Sequence, residues 1–329
     1  MELTIISPLD MHLHLREAEM LDFVLPLTSS YFAGAVIMPN LQQPVDSKDR
    51  LTHYRERIVN QCKDHGFEPY MTLFFKPYPA NFLDEIKEQI IGIKLYPAGI
   101  TTQSEQGVGE LKEARDTFTI MEDLNIPLLV HGESHGYVLD REEEFLQTYL
   151  WLAENFPKLH IIMEHITTRA AVEFLDKYDN ISATVTLHHL LLSLDDVIGG
   201  LMKPHLFCKP VAKSPRDRDA LKQVVFSGHE KVMFGSDSAP HPIHAKECAG
   251  CAAGIFTAPL ALPALATLFE QEGCLEKLQL FVSDHAVNRY QLQPIKKNIQ
   301  LVRKPFVIPE KYGTITPFLA GKTLPWSYA

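Results

Sequence analysis

The sequence predicts a single α/β domain in which eight parallel strands alternate with helices and close into a (β/α)8 TIM barrel. Short aliphatic and β-branched runs recur along the 329 residues, and amphipathic stretches separate most of them. Strands that alternate with helices are parallel and joined by helical crossovers, and eight such units are typical of a closed barrel.

Eight runs have the length and composition of buried strands. They are MHLHL at 11–15, GAVIMPN at 34–40, YMTLFF at 70–75, IGIKLY at 91–96, PLLVHG at 127–132, HIIMEH at 160–165, ISATVT at 181–186 and KVMFGSD at 231–237. The helices predicted between them span 47–61, 109–124, 142–155, 169–178 and 216–227. An open doubly wound sheet is the alternative, but no G-x-G-x-x-G follows the first strand.

The chain beyond residue 257 adds two helical stretches, PLALPALATLFEQ and LEKLQLFVSDHAVNRY, and then an irregular or β-rich segment. We expect residues 1–329 to form one domain, with a barrel core at about 9–257 and a helical and irregular appendage at about 258–329.

Composition excludes several classes of protein. The net charge of −10 argues against a general nucleic-acid binder, which needs basic surface. The first residues lack a basic and then apolar leader, and no apolar run is long enough to span a membrane. Five cysteines are an odd number for a disulfide scaffold. We therefore expect a cytoplasmic protein that acts on small molecules and contacts neither membrane nor nucleic acid.

Polar side chains occur in or directly after five of the predicted strands. They are His12, His14, Lys94, His131, His165 and Asp237. A barrel brings the carboxyl ends of its strands to one face, where barrel active sites lie. A lone histidine after a strand is usually a hydrogen-bonded packing residue, but four imidazoles and a carboxylate together form a divalent-metal site, most naturally for zinc.

The first strand shows this polarity most clearly. Because alternate residues of a strand face the same way, His12, His14 and Arg16 should share one face, with Met11, Leu13 and Leu15 on the other.

Lys94 does not fit a metal site in its ordinary state, because an ammonium repels a cation. Either deprotonation or covalent modification removes that charge. Reaction with carbon dioxide would give a carbamate whose two oxygens could bridge two metals, but spacing does not decide between these states.

The ordered set of motifs resembles the amidohydrolase superfamily and, within it, the single-function bacterial dihydroorotase family. The resemblance covers nearly the whole chain. Its motifs are DMHLHLR at 10–16, VIMPNL at 36–41, KLYPAGITT at 94–102, LLVHGE at 128–133, EHITT at 164–168, KPHLFCKP at 203–210, GSDSAPH at 235–241, residues 246–259 and TPFLAG at 316–321.

The resemblance implies a zinc-dependent cyclic amidohydrolase of UMP biosynthesis that interconverts N-carbamoyl-L-aspartate and L-dihydroorotate, acting as a homodimer. It implies that His12, His14 and Asp237 hold one Zn2+, and that His131 and His165 hold the second. N-carboxylated Lys94 would bridge the two ions, and Asp237 would act as general base and then general acid.

The same resemblance implies a set of substrate-binding residues. They are Arg16, Asn40, Thr101, Thr102, Lys209, His241, Ala253 and Gly254. Thr101 and Thr102 would lie on a loop that closes over the substrate. Two departures stand out: Gly99 and Ile100 change this loop, and Lys209 occupies a position where the family often has leucine.

Other interpretations remain open at this point. An amidohydrolase of another cyclic amide, such as a hydantoin or allantoin, and a scaffold protein that has lost catalysis are the rival functions. Cys248 and Cys251 are interpreted as free thiols rather than a zinc motif. His188 and His189 are interpreted as packing residues. Glu133 and His135 follow His131 closely, and either one of them orients a metal ligand or both lie in an exposed loop.

Overall fold

A computed structural model describes residues 1–100 and 111–329, with the side chains of 112 and 113 left out. Its main feature is an eight-stranded parallel sheet whose strands follow one another in chain order. The two edge strands meet through a parallel bridge between Leu13 and Ser238, with the Asp237 amide donating to the His12 carbonyl at 2.9 Å. These contacts close the sheet, so the predicted (β/α)8 barrel is confirmed.

All eight predicted barrel strands are present. They are β2 (Leu9–Leu13), β3 (Gly34–Ile37), β4 (Glu68–Phe74), β5 (Gly92–Leu95), β6 (Leu128–Val130), β7 (Ile161–Met163), β8 (Ile181–Val185) and β9 (Val232–Phe234), preceded by β1 (Glu2–Ile6) outside the barrel. Most of these strands end earlier than predicted, because the polar residues at their carboxyl ends do not pair with the neighbouring strands.

Helices cover the outside of the barrel. The helices that precede β9 are α1 (Ala18–Ser29), α2 (Lys48–Cys62), α3 (Ala80–Ile86), α4 (Arg115–Asp123), α5 (Arg141–Asn155), α6 (Arg169–Phe174), α7 (Leu187–Leu191), α8 (Leu194–Ile198) and α9 (Pro215–Ser227). The sequence did not predict α1, because Pro26 lies inside it and Glu17 provides no side-chain cap. It also missed α3, which has only seven residues.

The segment after β9 packs against the barrel and then returns to the start of the chain. It contains α10 (Ile243–Lys246), α11 (Ala261–Gln271), α12 (His285–Tyr290), β10 (Asn298–Val302), β11 (Phe306–Val307), β12 (Thr323–Leu324) and β13 (Ser327–Tyr328). β10 pairs antiparallel with both β1 and β13, so the two ends of the chain share one small sheet. Among the residues described, none of the helices has the length and apolar character needed to cross a membrane.

The first barrel strand, β2, contains an extra residue. Asp10 pairs with Ala35 but Leu13 pairs with Ile37, so three steps along β2 match two steps along β3. The Asp10 carboxylate accepts the backbone N–H of His12 at 3.1 Å, which stabilises this irregular stretch. Such a bulge changes the face on which the following side chains lie.

The bulge explains the orientation of the histidines. Met11 packs inside the barrel with Val36 and Met233, whereas Leu13 packs in the outer core beneath the helices. The prediction that Met11 and Leu13 share one face is therefore wrong. Without the extra residue, His12 would follow Asp10 onto the outer face, so the bulge directs His12 towards the mouth of the barrel.

Candidate metal centre and active site

The six predicted metal-site residues converge at the carboxyl ends of the barrel strands, called the mouth below. All six are buried, with at most 8% of any residue exposed. A cavity lies over them. It is lined by His12, His14, Arg16, Asn40, Tyr96, His131, His165, Lys209, Asp237, Ala239, Ala253 and Gly254. The structure thus brings together residues from five strands that are far apart in the sequence.

One group of metal-binding atoms surrounds the Asp237 carboxylate. Its Oδ1 lies 3.1 Å from His14 Nε2 and 3.6 Å from His12 Nε2. The ligand atoms of all three residues lie within 4.8 Å of one another. Asp237 has a left-handed backbone (φ +43°), which turns its side chain into the mouth directly after β9.

A second pair of nitrogens faces the same cavity. His131 Nδ1 and His165 Nε2 are 3.2 Å apart. Two imidazole nitrogens that share a tetrahedral zinc at about 2.0 Å are separated by roughly 3.3 Å. The pair is therefore already spaced for one ion.

Two buried carboxylates orient the imidazoles from behind. Glu164 Oε2 lies 2.8 Å from His12 Nδ1 and accepts a hydrogen bond from Thr184 Oγ1 at 2.6 Å. Glu133 Oε2 lies 2.7 Å from His131 Nε2. Such partners hold the N–H of a metal-binding histidine and leave the other nitrogen for the metal.

The sequence anticipated only one of these carboxylates. Glu133 is 1% exposed, so the exposed-loop interpretation is wrong and the orienting one is confirmed. Glu164 was missed, although it directly precedes His165. Its contact with His12 spans 152 positions in the chain, which no local pattern reveals.

Burial shifts the pKa values of the ionisable side chains at the mouth towards their neutral forms. It lowers the pKa of His12, His14 and His165, so these imidazoles are neutral and have lone pairs for a metal. Burial also raises the pKa of the Asp237 carboxyl, which therefore needs positive neighbours to remain ionised.

Lys94 is the unusual member of the group. Its residue is fully buried, and Nζ has no hydrogen-bond partner in the described part of the chain. The ring of Tyr96 lies 5.0 Å from Nζ, and burial lowers the lysine pKa to about 8. A buried amine without partners is costly, so the position suits a neutral or modified lysine.

This donor set fits divalent metal ions of the zinc class. Neutral imidazole nitrogens and a carboxylate oxygen are zinc ligands, and the measured separations match shared coordination. A metal ion would also provide the positive charge that the buried Asp237 needs.

The predicted substrate side of the cavity begins at Arg16, which has a left-handed backbone just past β2 (φ +62°). Its Nε donates to the Pro240 carbonyl at 3.2 Å, and Nη2 lies 2.9 Å from His241 Nε2. His241 Nε2 also lies 3.0 Å from the Ala253 carbonyl, and the two contacts need opposite tautomers. Asn40 Oδ1 accepts from the Tyr96 hydroxyl at 3.0 Å.

Backbone groups complete this side. Gly254 has φ +151°, and a Cβ there would lie 2.6 Å from the Ala239 carbonyl, so only glycine leaves this edge open. The Lys246 ammonium donates to the carbonyls of Phe207, Ala252 and Gly254 at 2.7–2.9 Å. No motif in the sequence had predicted this role for Lys246.

Lys209 lies on the cavity wall, where its Nζ donates to the Ile100 carbonyl at 2.5 Å. Thr101 and Thr102 lie outside the described residues.

Comparison with known proteins gives a consistent result. No family model matches the chain. The dihydroorotase of Helicobacter hepaticus is 43% identical over 333 residues, covering 98% of this chain and 97% of that protein. The dihydroorotase structure from Campylobacter jejuni superposes with a TM-score of 0.95 at 50% identity, covering 99% and 97% of the two chains.

A more distant solved structure agrees. Dihydroorotase from Saccharomyces cerevisiae, in complex with 5-fluoroorotic acid, gives a TM-score of 0.93 at 34% identity and covers 100% of this chain and 98% of that one.

Proposed function

The chain belongs to the dihydroorotase family of cyclic amidohydrolases in pyrimidine biosynthesis, and we propose that its barrel mouth interconverts N-carbamoyl-L-aspartate and L-dihydroorotate. The observation that carries this proposal is the convergence beneath one cavity of four buried imidazoles, Asp237 and a lysine whose Nζ has no hydrogen-bond partner among the described residues.

We propose that His12, His14 and Asp237 hold one zinc ion and that His131 and His165 hold a second. The separations of 3.1 Å and 3.2 Å within these two groups support the assignment. When bound, the ions supply Lewis acidity, which polarises an amide carbonyl and makes water a stronger acid near neutral pH.

Lys94 is proposed to join the two groups as an N-carboxylated lysine. Its neutral amine attacks carbon dioxide, an N–C bond forms, and the amine proton leaves to water. The product carries two oxygens and a negative charge in place of a buried amine that has no hydrogen-bond partner among the described residues. Full burial and a pKa lowered to about 8 favour the neutral amine that this reaction requires.

Asp237 is proposed to move the proton. In the hydrolytic direction it takes a proton from the attacking water and gives it to the ring nitrogen that leaves. Its position on the cavity wall supports this role. Its burial, which raises the pKa of the carboxyl, makes the transient protonated state accessible.

Arg16 is proposed to bind the substrate carboxylate. Guanidinium binds carboxylate through two parallel hydrogen bonds, and the described contacts of Arg16 use only Nε and Nη2. Asn40 would bind the same carboxylate, joined by His241 and by the backbone around Ala253 and Gly254. Lys209, Thr101 and Thr102 complete the proposed set.

We also propose that the protein works as a homodimer in the cytoplasm. All five cysteines are free, which fits a reducing compartment. Light scattering should give twice the chain mass of 37.3 kDa, and a value equal to that mass would contradict the dimer.

The decisive experiment measures dihydroorotate hydrolysis and metal content on the same samples of wild type and Asp237→Asn. The wild type should turn over and hold metal, and kcat of the variant should fall at least about 10³-fold. Asp84→Asn, on the exposed surface, is the matched control and should match wild type.

The possible failures are distinct. A metal-loaded wild type that leaves dihydroorotate untouched would disprove the substrate assignment while retaining the metal centre. A wild type that turns over dihydroorotate without metal would disprove the centre.

A further inference from the structure

A second group of metal-binding side chains lies next to the mouth but contains none of the residues assigned above. His188 and His189 are on α7, and Cys208 lies in the segment that follows α8. Their exposed fractions are 0%, 2% and 1%, and one ligand atom from each lies within 4.8 Å of the others.

The closest pair is separated by the distance expected between two ligand atoms of one zinc ion. Cys208 Sγ lies 3.5 Å from His189 Nε2. Zinc bonds of about 2.3 Å to sulfur and 2.0 Å to nitrogen, at a tetrahedral angle, put these two atoms about 3.5 Å apart. The Pro210 carbonyl oxygen lies 3.0 Å from this nitrogen and 3.3 Å from the sulfur, so an oxygen ligand is also at hand.

His188 gives an independent indication that a ligand belongs here. Neither of its ring nitrogens has a hydrogen-bond partner within residues 1–100 and 111–329. The centroid of its ring lies 4.5 Å from that of His189 and 6.4 Å from that of Phe318. A fully buried polar ring without partners is costly, and a metal ion would satisfy it.

His189 is oriented by contacts at both ring nitrogens. Its Nδ1 lies 2.9 Å from Thr186 Oγ1, and its Nε2 lies 3.0 Å from the Pro210 carbonyl oxygen. Because a carbonyl oxygen only accepts, these contacts place the proton on Nε2, and the Thr186 hydroxyl donates to Nδ1. A metal ion bound at Nε2 would replace this proton, and the hydroxyl could then accept from a protonated Nδ1 instead.

We propose that His188, His189 and Cys208 form a third metal site, which binds a thiophilic ion such as zinc. The sulfur–metal bond forms as the thiol proton leaves to solvent, and no electron is transferred. One thiolate with two imidazoles is a donor set that zinc and other soft or borderline ions prefer. The ion would connect α7 to the segment that carries Lys209 on the cavity wall.

The test uses Co2+ as the probe, in full-length protein stripped of metal by a chelator. None of the ligands proposed for the dinuclear centre contains sulfur, so a sulfur-to-cobalt charge-transfer band reports only on a thiolate site. We expect this near-ultraviolet band in the wild type, together with a third equivalent of metal by elemental analysis.

Variants assign the sulfur. Cys208→Ser should lose the band, and His188→Gln should weaken cobalt binding at least about tenfold, since even outer partners of a metal site contribute this much. Cys62→Ser removes a buried thiol elsewhere and should keep the band. The double variant Cys248→Ser/Cys251→Ser should also keep it.

Absence of the band in wild type, or its persistence in Cys208→Ser, would overturn the proposal. If Cys208→Ser fails to fold, unchanged cobalt binding by His188→Gln would also overturn it. Because the readout is spectroscopic, this result is independent of dihydroorotate turnover.

Discussion

Lys94 and Lys246 are both buried lysines near the mouth of the barrel, but their amino groups have opposite surroundings. Lys246 Nζ donates to three backbone carbonyls, whereas Lys94 Nζ has no hydrogen-bond partner among the described residues. A buried ammonium whose N–H groups all donate hydrogen bonds stabilises the fold. A buried ammonium without such partners is stabilised only by binding a ligand or by covalent modification.

Arg16 lies between these two cases. Its Nε and Nη2 contact Pro240 and His241, and Arg16 also lines the cavity. We therefore infer that a buried cation with few protein acceptors has a functional role, and that one with all its acceptors in the protein has a structural role. Substitutions of these residues test this difference.

The largest effect is expected for Lys94→Met. Loss of the bridging group should reduce kcat at least about 100-fold and lower the metal content. The free energy of unfolding of the metal-free protein should stay within about 1 kcal/mol of wild type, because no hydrogen bond is lost. Urea denaturation of both metal-free proteins measures this, and a large destabilisation would show that Lys94 is structural.

Arg16→Lys should have the next largest effect. An ammonium cannot reproduce the planar fork that binds a carboxylate, so KM for dihydroorotate should rise about 10- to 100-fold. Metal content should not change, since Arg16 is not a proposed ligand. Steady-state kinetics with metal analysis checks both, and an unchanged KM would remove Arg16 from the substrate site.

Lys246→Met tests the lysine whose ammonium is fully hydrogen-bonded to the backbone. It removes the donor to three carbonyls, and only that of Phe207 keeps another described partner, the Gly254 N–H at 3.0 Å. The free energy of unfolding should therefore fall by about 2–4 kcal/mol. Because two of these carbonyls belong to Ala252 and Gly254, we also expect KM to rise about tenfold as this edge of the cavity loosens.

Lys297→Met is its matched control. The Lys297 ammonium also donates to three carbonyls, those of Ser29, Phe32 and His65, but at a distance from the mouth. This variant should lose similar stability with an unchanged KM. Equal KM values for the two variants would show that Lys246 does not position the substrate site.

The smallest effect concerns pH. Burial lowers the pKa of His160 and His241 to about 3 and that of His189 to about 4. Below about pH 6.5 the unfolded chain binds protons that the folded chain does not, so the free energy of unfolding falls as pH falls from 6.5 towards 4.

Each such histidine contributes at most about 1.4 kcal/mol per pH unit. His160→Asn, at the amino-terminal end of the barrel, should therefore reduce the pH dependence without affecting turnover. Urea denaturation of metal-free protein at pH 7 and pH 5 measures the change. A stability that does not depend on pH would contradict the neutral, buried state of these rings.

The sequence by itself determined the barrel and the candidate metal-binding side chains at its mouth. Eight apolar runs at regular intervals specify parallel strands, because burial on both faces requires such runs. His131, His165 and Asp237 could be found because each follows a strand, and every barrel strand points its carboxyl end to the same mouth.

Only the tertiary structure decided how these residues work. The inserted residue in β2 turns His12 into the mouth, and it is visible only through pairing with β3. Likewise, Glu164 reaches His12 from across the barrel. Lys94 Nζ and the ring nitrogens of His188 have no hydrogen-bond partner among the described residues, and this depends on the positions of all the side chains around them. The periodicity of the sequence indicates which face of a helix or strand is apolar. Whether a buried polar atom has a hydrogen-bond partner depends instead on contacts between distant parts of the chain.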